Sequence, residues 1–109
     1  DHFASLEEVP TAVFAGNDEM AIGLIATLRR HGIECPRDIS VIGFDDINVS
    51  QNYAPALTTM RQPREQIGRI ATETLINILE GNRTSPDPVR VVLRSELIVR
   101  ESTARLRPA

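Results

Sequence analysis

Lysine is absent from all 109 residues, and each of the twelve basic side chains is an arginine. That excludes from this segment a Walker-type phosphate loop, a Schiff-base nucleophile and the lysine of a phosphate-sensing receiver domain. Cysteine is nearly as scarce. Cys35 stands alone, so no internal disulfide can form, which fits a reducing compartment. With no histidine or second thiol near it in sequence, Cys35 reads as a loop residue without a chemical role. No apolar run approaches the roughly 18 residues needed to cross a bilayer. The opening residues, Asp1 to Ser5, carry neither the basic nor the apolar region of a signal peptide, and the expectation is a cytoplasmic protein with no membrane partner. A positive charge balance is missing too: the net charge of −3 gives no electrostatic footprint for nucleic acid, so this segment is not expected to grip DNA itself.

What is present is an ordinary globular composition, 41% apolar and 25% charged, in a length that allows one domain at most. Two strand-to-loop junctions stand out, Phe14-Ala15-Gly16-Asn17-Asp18 and Ile42-Gly43-Phe44-Asp45-Asp46. Each is a short apolar run ending in small, amide or acidic residues, the pattern by which parallel strands deliver polar groups to a crevice at their carboxyl ends.

Residues 11–15 read as a buried strand closed by Gly16. Asn17 or Asp18 then caps a helix that runs to about His31 and stops at Gly32. This helix has no polar residue from Met20 to Ala26, so it needs cover on more than one side. Either other parts of a larger domain bury it or it forms a subunit interface centred on Ile22. Residues 39–44 make a second strand, which completes a strand–helix–strand crossover unit. A polar loop or short helix with Tyr53, the only tyrosine, leads to a third strand, 57–61. Gln62-Pro63 opens a second helix reaching Glu80, with Ile67, Ile70, Ala71, Thr74, Leu75, Ile78 and Leu79 at helical spacing. Two strand-like runs, 89–93 and 97–99, follow the connector Ser85-Pro86-Asp87-Pro88. The fold class is therefore α/β, a doubly wound parallel sheet.

Asp18, Asp45 and Asp46 admit a reading as a magnesium or acid–base cluster. Against it, Asp18 is equally well explained by a helix N-terminus, and one of two adjacent strand-tip aspartates must turn away from the other. No serine or cysteine occupies a glycine-flanked elbow, and neither His2 nor His31 has a motif around it. No catalytic residue, metal ligand or cofactor site is assigned. What remains is recognition: Asp45 as a bidentate acceptor and Asn17 as donor and acceptor suit a sugar, polyol or nucleobase. The competing reading is that Asn17 only caps and Asp45 only begins a turn.

Three blocks, Pro10 to Gly23, Pro36 to Asp46 and Pro55 to Pro63, closely resemble the lactose/galactose repressor family of bacterial transcription regulators. The likeness runs from about Pro10 to Thr103. It implies the carboxyl-terminal part of a two-lobed effector-binding core of the periplasmic-binding-protein-like type I fold, with a DNA-binding headpiece and a first lobe not contained in residues 1–109. It further implies that Asn17, Asp45 and Arg64 contact the effector, that Ile22 and Tyr53 sit at a homodimer interface, and that operator DNA is reached only through the amino-terminal headpiece. Residues 10–61 and 95–101 would belong to the carboxyl-terminal lobe. The helix and strand within 63–93 would pack on the other lobe, leaving that helix an apolar stripe without its own sheet. Arg64 stands where some members carry an aromatic residue. A secreted sugar-binding protein for transport shares the fold and is the alternative from another class.

Overall fold

The computed structural model describes residues 5–82 and 86–108. In chain order the elements are β1 (Ala12–Phe14), α1 (Asp18–Arg30), β2 (Ser40–Asp45), a 3-10 helix (Asn48–Gln51), β3 (Thr58–Arg61), α2 (Arg64–Leu79) and β4 (Glu96–Ile98). One four-stranded sheet has the order β1-β2-β3-β4. β1 runs parallel to β2, with Phe14 opposite Ile42, and β2 runs parallel to β3, with Asp45 opposite Arg61. Parallel neighbours require a crossover, and α1 supplies the first of them.

Both ends of α1 are set by local chemistry. The Asn17 side chain accepts from the Met20 N–H at 2.8 Å, the amide cap expected before an apolar run. At the other end His31 is the C-cap and Gly32 follows with φ 75°, a left-handed conformation that glycine adopts without a side-chain clash. Ala21, Ile25 and Leu28 form the buried stripe of α1, and with Ala15, Cys35, Ile39, Val41 and Leu57 they make the core. Ile22, Leu24 and Tyr53 are half-buried against it.

The sheet differs from expectation at its edge. β1 is not a buried strand: Phe14 is 62% exposed and Ala12 is exposed, leaving only Val13 against the core. As an edge strand it has a hydrogen-bonded neighbour, β2, on one flank only. Residues 89–93 also depart from expectation, since they form no strand. A strand exists only with a hydrogen-bonding neighbour, and none is at hand for this run.

The chain divides into two compact units, one made of the residues up to Arg61 with those from Leu97 onward, the other of Gln62–Glu96. In the second unit no residue of α2 is buried, and Leu75, Ile76 and Leu79 are exposed. Ile67, itself exposed, borders with Ile70 and Thr74 an apolar groove of about 420 Å³ shared with Val89, Val91 and Leu93. No helix among the described residues is long and apolar enough to cross a membrane.

Candidate functional site

The carboxyl ends of β1 and β2 carry the polar groups singled out from the sequence. Because Phe14 pairs with Ile42, Asn17 and Asp45 each lie three residues beyond a paired position on neighbouring parallel strands. The Asn17 carbonyl oxygen is engaged in the α1 cap, while its two amide N–H donors play no part in that bond. Asp45 is half-buried and ends β2 with φ 118°; Asp46 follows with φ 58°. Two successive non-glycine residues at positive φ hold the backbone in a sparsely populated region, at about 1–3 kcal/mol each. Such strain persists only where the surroundings fix the chain.

Those surroundings are specific. Asp46 is buried and accepts from Arg61 Nε at 2.6 Å and from Arg100 Nη2 at 2.7 Å. Arg100 also donates through Nη1 to the Leu57 carbonyl at 3.0 Å, and its backbone N–H donates to Thr58 Oγ1 at 2.9 Å. Burial by itself would raise the Asp46 carboxyl. The hydrogen bonds from Arg61 and Arg100, with both positive charges, outweigh it and hold the carboxyl below its ordinary value. The residue after the β2 tip is thus clamped by two guanidiniums, which sets the orientation of the tip itself.

Asp18 is the second anchor. It is fully buried, and its carboxylate accepts from Thr59 Oγ1, from Ser50 Oγ at 2.5 Å and from the Ile47 N–H at 2.9 Å. Its side chain therefore does not serve the terminus of its own helix; it ties α1 to β3 and to the loop that leaves Asp45. Gly43 explains how the carboxylate fits: a Cβ at that position would lie 2.3 Å from Asp18 Oδ1 and 3.0 Å from Leu57 Cδ2. Among the described residues no group of three or more histidine, cysteine, aspartate or glutamate side chains is placed to hold a metal ion.

Ile22 and Tyr53 are both half-buried on the core of the first unit, and beside Ile22 on α1 Met20 is 60% exposed. Arg64 is exposed and is the first residue of α2, in the second unit. Sequence reasoning missed Ser50, Thr59, Arg61 and Arg100. The one available signal was the Asp45-Asp46 doublet, whose second member needs a positive partner once turned inward.

A family profile described as a periplasmic binding protein-like domain matches residues 1–103. The chain belongs to that family. Among periplasmic binding protein-like domains, its relatives include the transcriptional repressor PurR of Vibrio campbellii, 39% identical over 107 residues, which cover 97% of this chain and 31% of the repressor. A transcriptional regulator CelR in complex with cellobiose superposes with a TM-score of 0.79 at 39% identity, covering 84% of this chain and 28% of that one. The lac repressor dimer bound to operator and the anti-inducer ONPF superposes with a TM-score of 0.77 at 32% identity, over 86% of this chain and 32% of that one. The resemblance to lactose/galactose repressors, and with it the periplasmic-binding-protein-like α/β fold, is borne out. The chain spans about a third of the length of these relatives.

Proposed function

We propose that this chain is the effector-binding and dimerisation part of a cytoplasmic, DNA-binding transcriptional repressor, with a sugar, polyol or nucleobase as effector. Asn17, Asp45 and Arg64 contact the effector, and Ile22 and Tyr53 contribute to the homodimer interface. Residues 10–61 and 95–101 belong to the carboxyl-terminal lobe, while α2 and residues 89–93 pack on the amino-terminal lobe, which supplies cover for their exposed apolar side chains. The chain performs no catalysis and needs no metal or cofactor for this role. Operator DNA is bound by an amino-terminal headpiece. The observation that carries this reading is the strained Asp45 at the β2 tip, on the strand next to the one that leads to Asn17 and braced by the doubly clamped Asp46. The repressor relatives support it over the transport alternative, which shares the fold alone.

Effector binding between two lobes favours one arrangement of them, and the difference in affinity between arrangements is what can alter the hold on an operator. A thermal-shift screen of the intact protein with sugars, polyols and nucleobases tests the first step: a ligand at a hundred times its dissociation constant stabilises by about 2.7 kcal/mol. The active compound is then expected to change operator retardation in a gel. Failure of every ligand class, together with failure to retain DNA, overturns the reading.

A further inference from the structure

At the opposite end of the sheet, by the amino-terminal ends of β1 and β2, a cleft of about 360 Å³ is bordered by Arg37, Arg105 and Arg107, with Asp38, Thr11 and Ser40 among its other walls. In a chain of net charge −3 this is a local inversion of sign. Its volume lies within the range of small-molecule sites, about 300–1,000 Å³.

The cleft is built rather than loosely draped. The Arg37 guanidinium grips Asp38 with two bonds, Nε to Oδ1 at 3.0 Å and Nη2 to Oδ2 at 2.7 Å, and the Glu34 N–H donates to the same carboxylate at 2.8 Å. The carboxyl-terminal segment is stitched along β2. Val41 N–H donates to the Ser102 carbonyl at 2.9 Å, Ala104 N–H donates to Ser40 Oγ at 3.0 Å, and Ser40 Oγ donates back to the Ala104 carbonyl at 3.3 Å. Anchoring Ala104 in this way carries Arg105 and Arg107 to the cleft. The Asp38 carboxyl is held low first by its bonds from Arg37 and, more weakly, by the positive charge of Arg107, while neither Arg105 nor Arg107 forms a direct ion pair among the described residues. Two guanidiniums are therefore available to an incoming anion, and their planar forks match phosphate oxygens in bidentate fashion.

We propose that this cleft is an anion site that takes a phosphoryl group, either free phosphate or the phosphomonoester of a small metabolite. It lies at the end of the strands away from Asn17 and Asp45, so both sites can be filled at once, and it stands independently of the effector reading.

Calorimetric titration of the intact protein with inorganic phosphate, against chloride at matched ionic strength, tests the site. A saturable one-to-one isotherm for phosphate that chloride does not reproduce is expected. The Arg105→Gln/Arg107→Gln variant should weaken it about tenfold or more with an unchanged circular dichroism spectrum, since two charge-assisted contacts are removed. Both side chains are exposed; should the double variant lose its fold, Arg107→Gln alone is expected to give a smaller loss of the same sign. A hexose 6-phosphate that binds more tightly than phosphate identifies a phosphomonoester ligand, and the reverse order identifies free phosphate; each supports the site. Absence of saturable binding, an equal response to chloride, or full affinity in a folded variant overturns it.

Discussion

Of the glycines, Gly43 is the least open to substitution. Any Cβ there meets the Asp18 carboxylate at 2.3 Å, and Asp18 cannot retreat because Thr59, Ser50 and Ile47 hold it. Gly43→Ala is expected to cost about 3 kcal/mol, the upper end for overpacking, read from the urea midpoint. Asp46 makes a prediction in pH. Its folded carboxyl titrates below its ordinary value, so its contribution is fully present above the unfolded pKa of about 3.9 and fades as pH falls through the lower folded value. Asp46→Asn should therefore lower stability at neutral pH and flatten the acid side of the stability profile; a wild-type profile retained in the variant would contradict the clamp. Cys35 is buried and donates its thiol hydrogen to the Ser102 carbonyl at 3.3 Å. Burial, more than any neighbouring group, pushes that thiol up to about 11, which accords with the absence of chemistry around it in the sequence.

At the scale of elements, α1 was legible because both its ends carry signals, an amide cap at Asn17 and a glycine at position 32. β2 was legible from its apolar run. β1 was found, but its exposure was not, since an apolar run reads alike at the edge and at the centre of a sheet. The 89–93 run was misjudged because pairing is a property of two segments, and one sequence window contains only one of them. The anchors of the β2 tip were hidden for a related reason: Thr59 is 41 residues from Asp18, and Arg100 is 54 from Asp46. The cap of α1 also offers a way to separate two roles of one side chain. Asn17→Ser keeps an oxygen for the Met20 N–H, since serine caps about as well as asparagine, and it removes the amide donors. Stability within about 0.5 kcal/mol of wild type, combined with weaker effector binding, is expected by calorimetry; unchanged affinity would reduce Asn17 to a cap.

For the whole molecule, the proposal joins an effector cleft to a dimer. Ile22 is half-buried on its own core, and Met20 on the same helix is 60% exposed, an apolar surface suited to a second copy. Ile22→Arg should convert the intact protein from dimer to monomer in multi-angle light scattering and, through loss of paired headpieces, weaken operator retention; a dimer of undiminished mass would place the interface elsewhere. Asp45 is the point where the fold's strain and its proposed purpose meet. Its φ of 118° suits glycine better than aspartate, so Asp45→Gly should keep the fold while deleting the carboxylate proposed to recognise the effector. The measurement that bears most directly on the account is the calorimetric dissociation constant of Asp45→Gly for the effector found in the ligand screen. Binding at least about tenfold weaker is expected, from the loss of a charge-assisted contact, and wild-type affinity in this variant would contradict a role for Asp45 in the effector cleft.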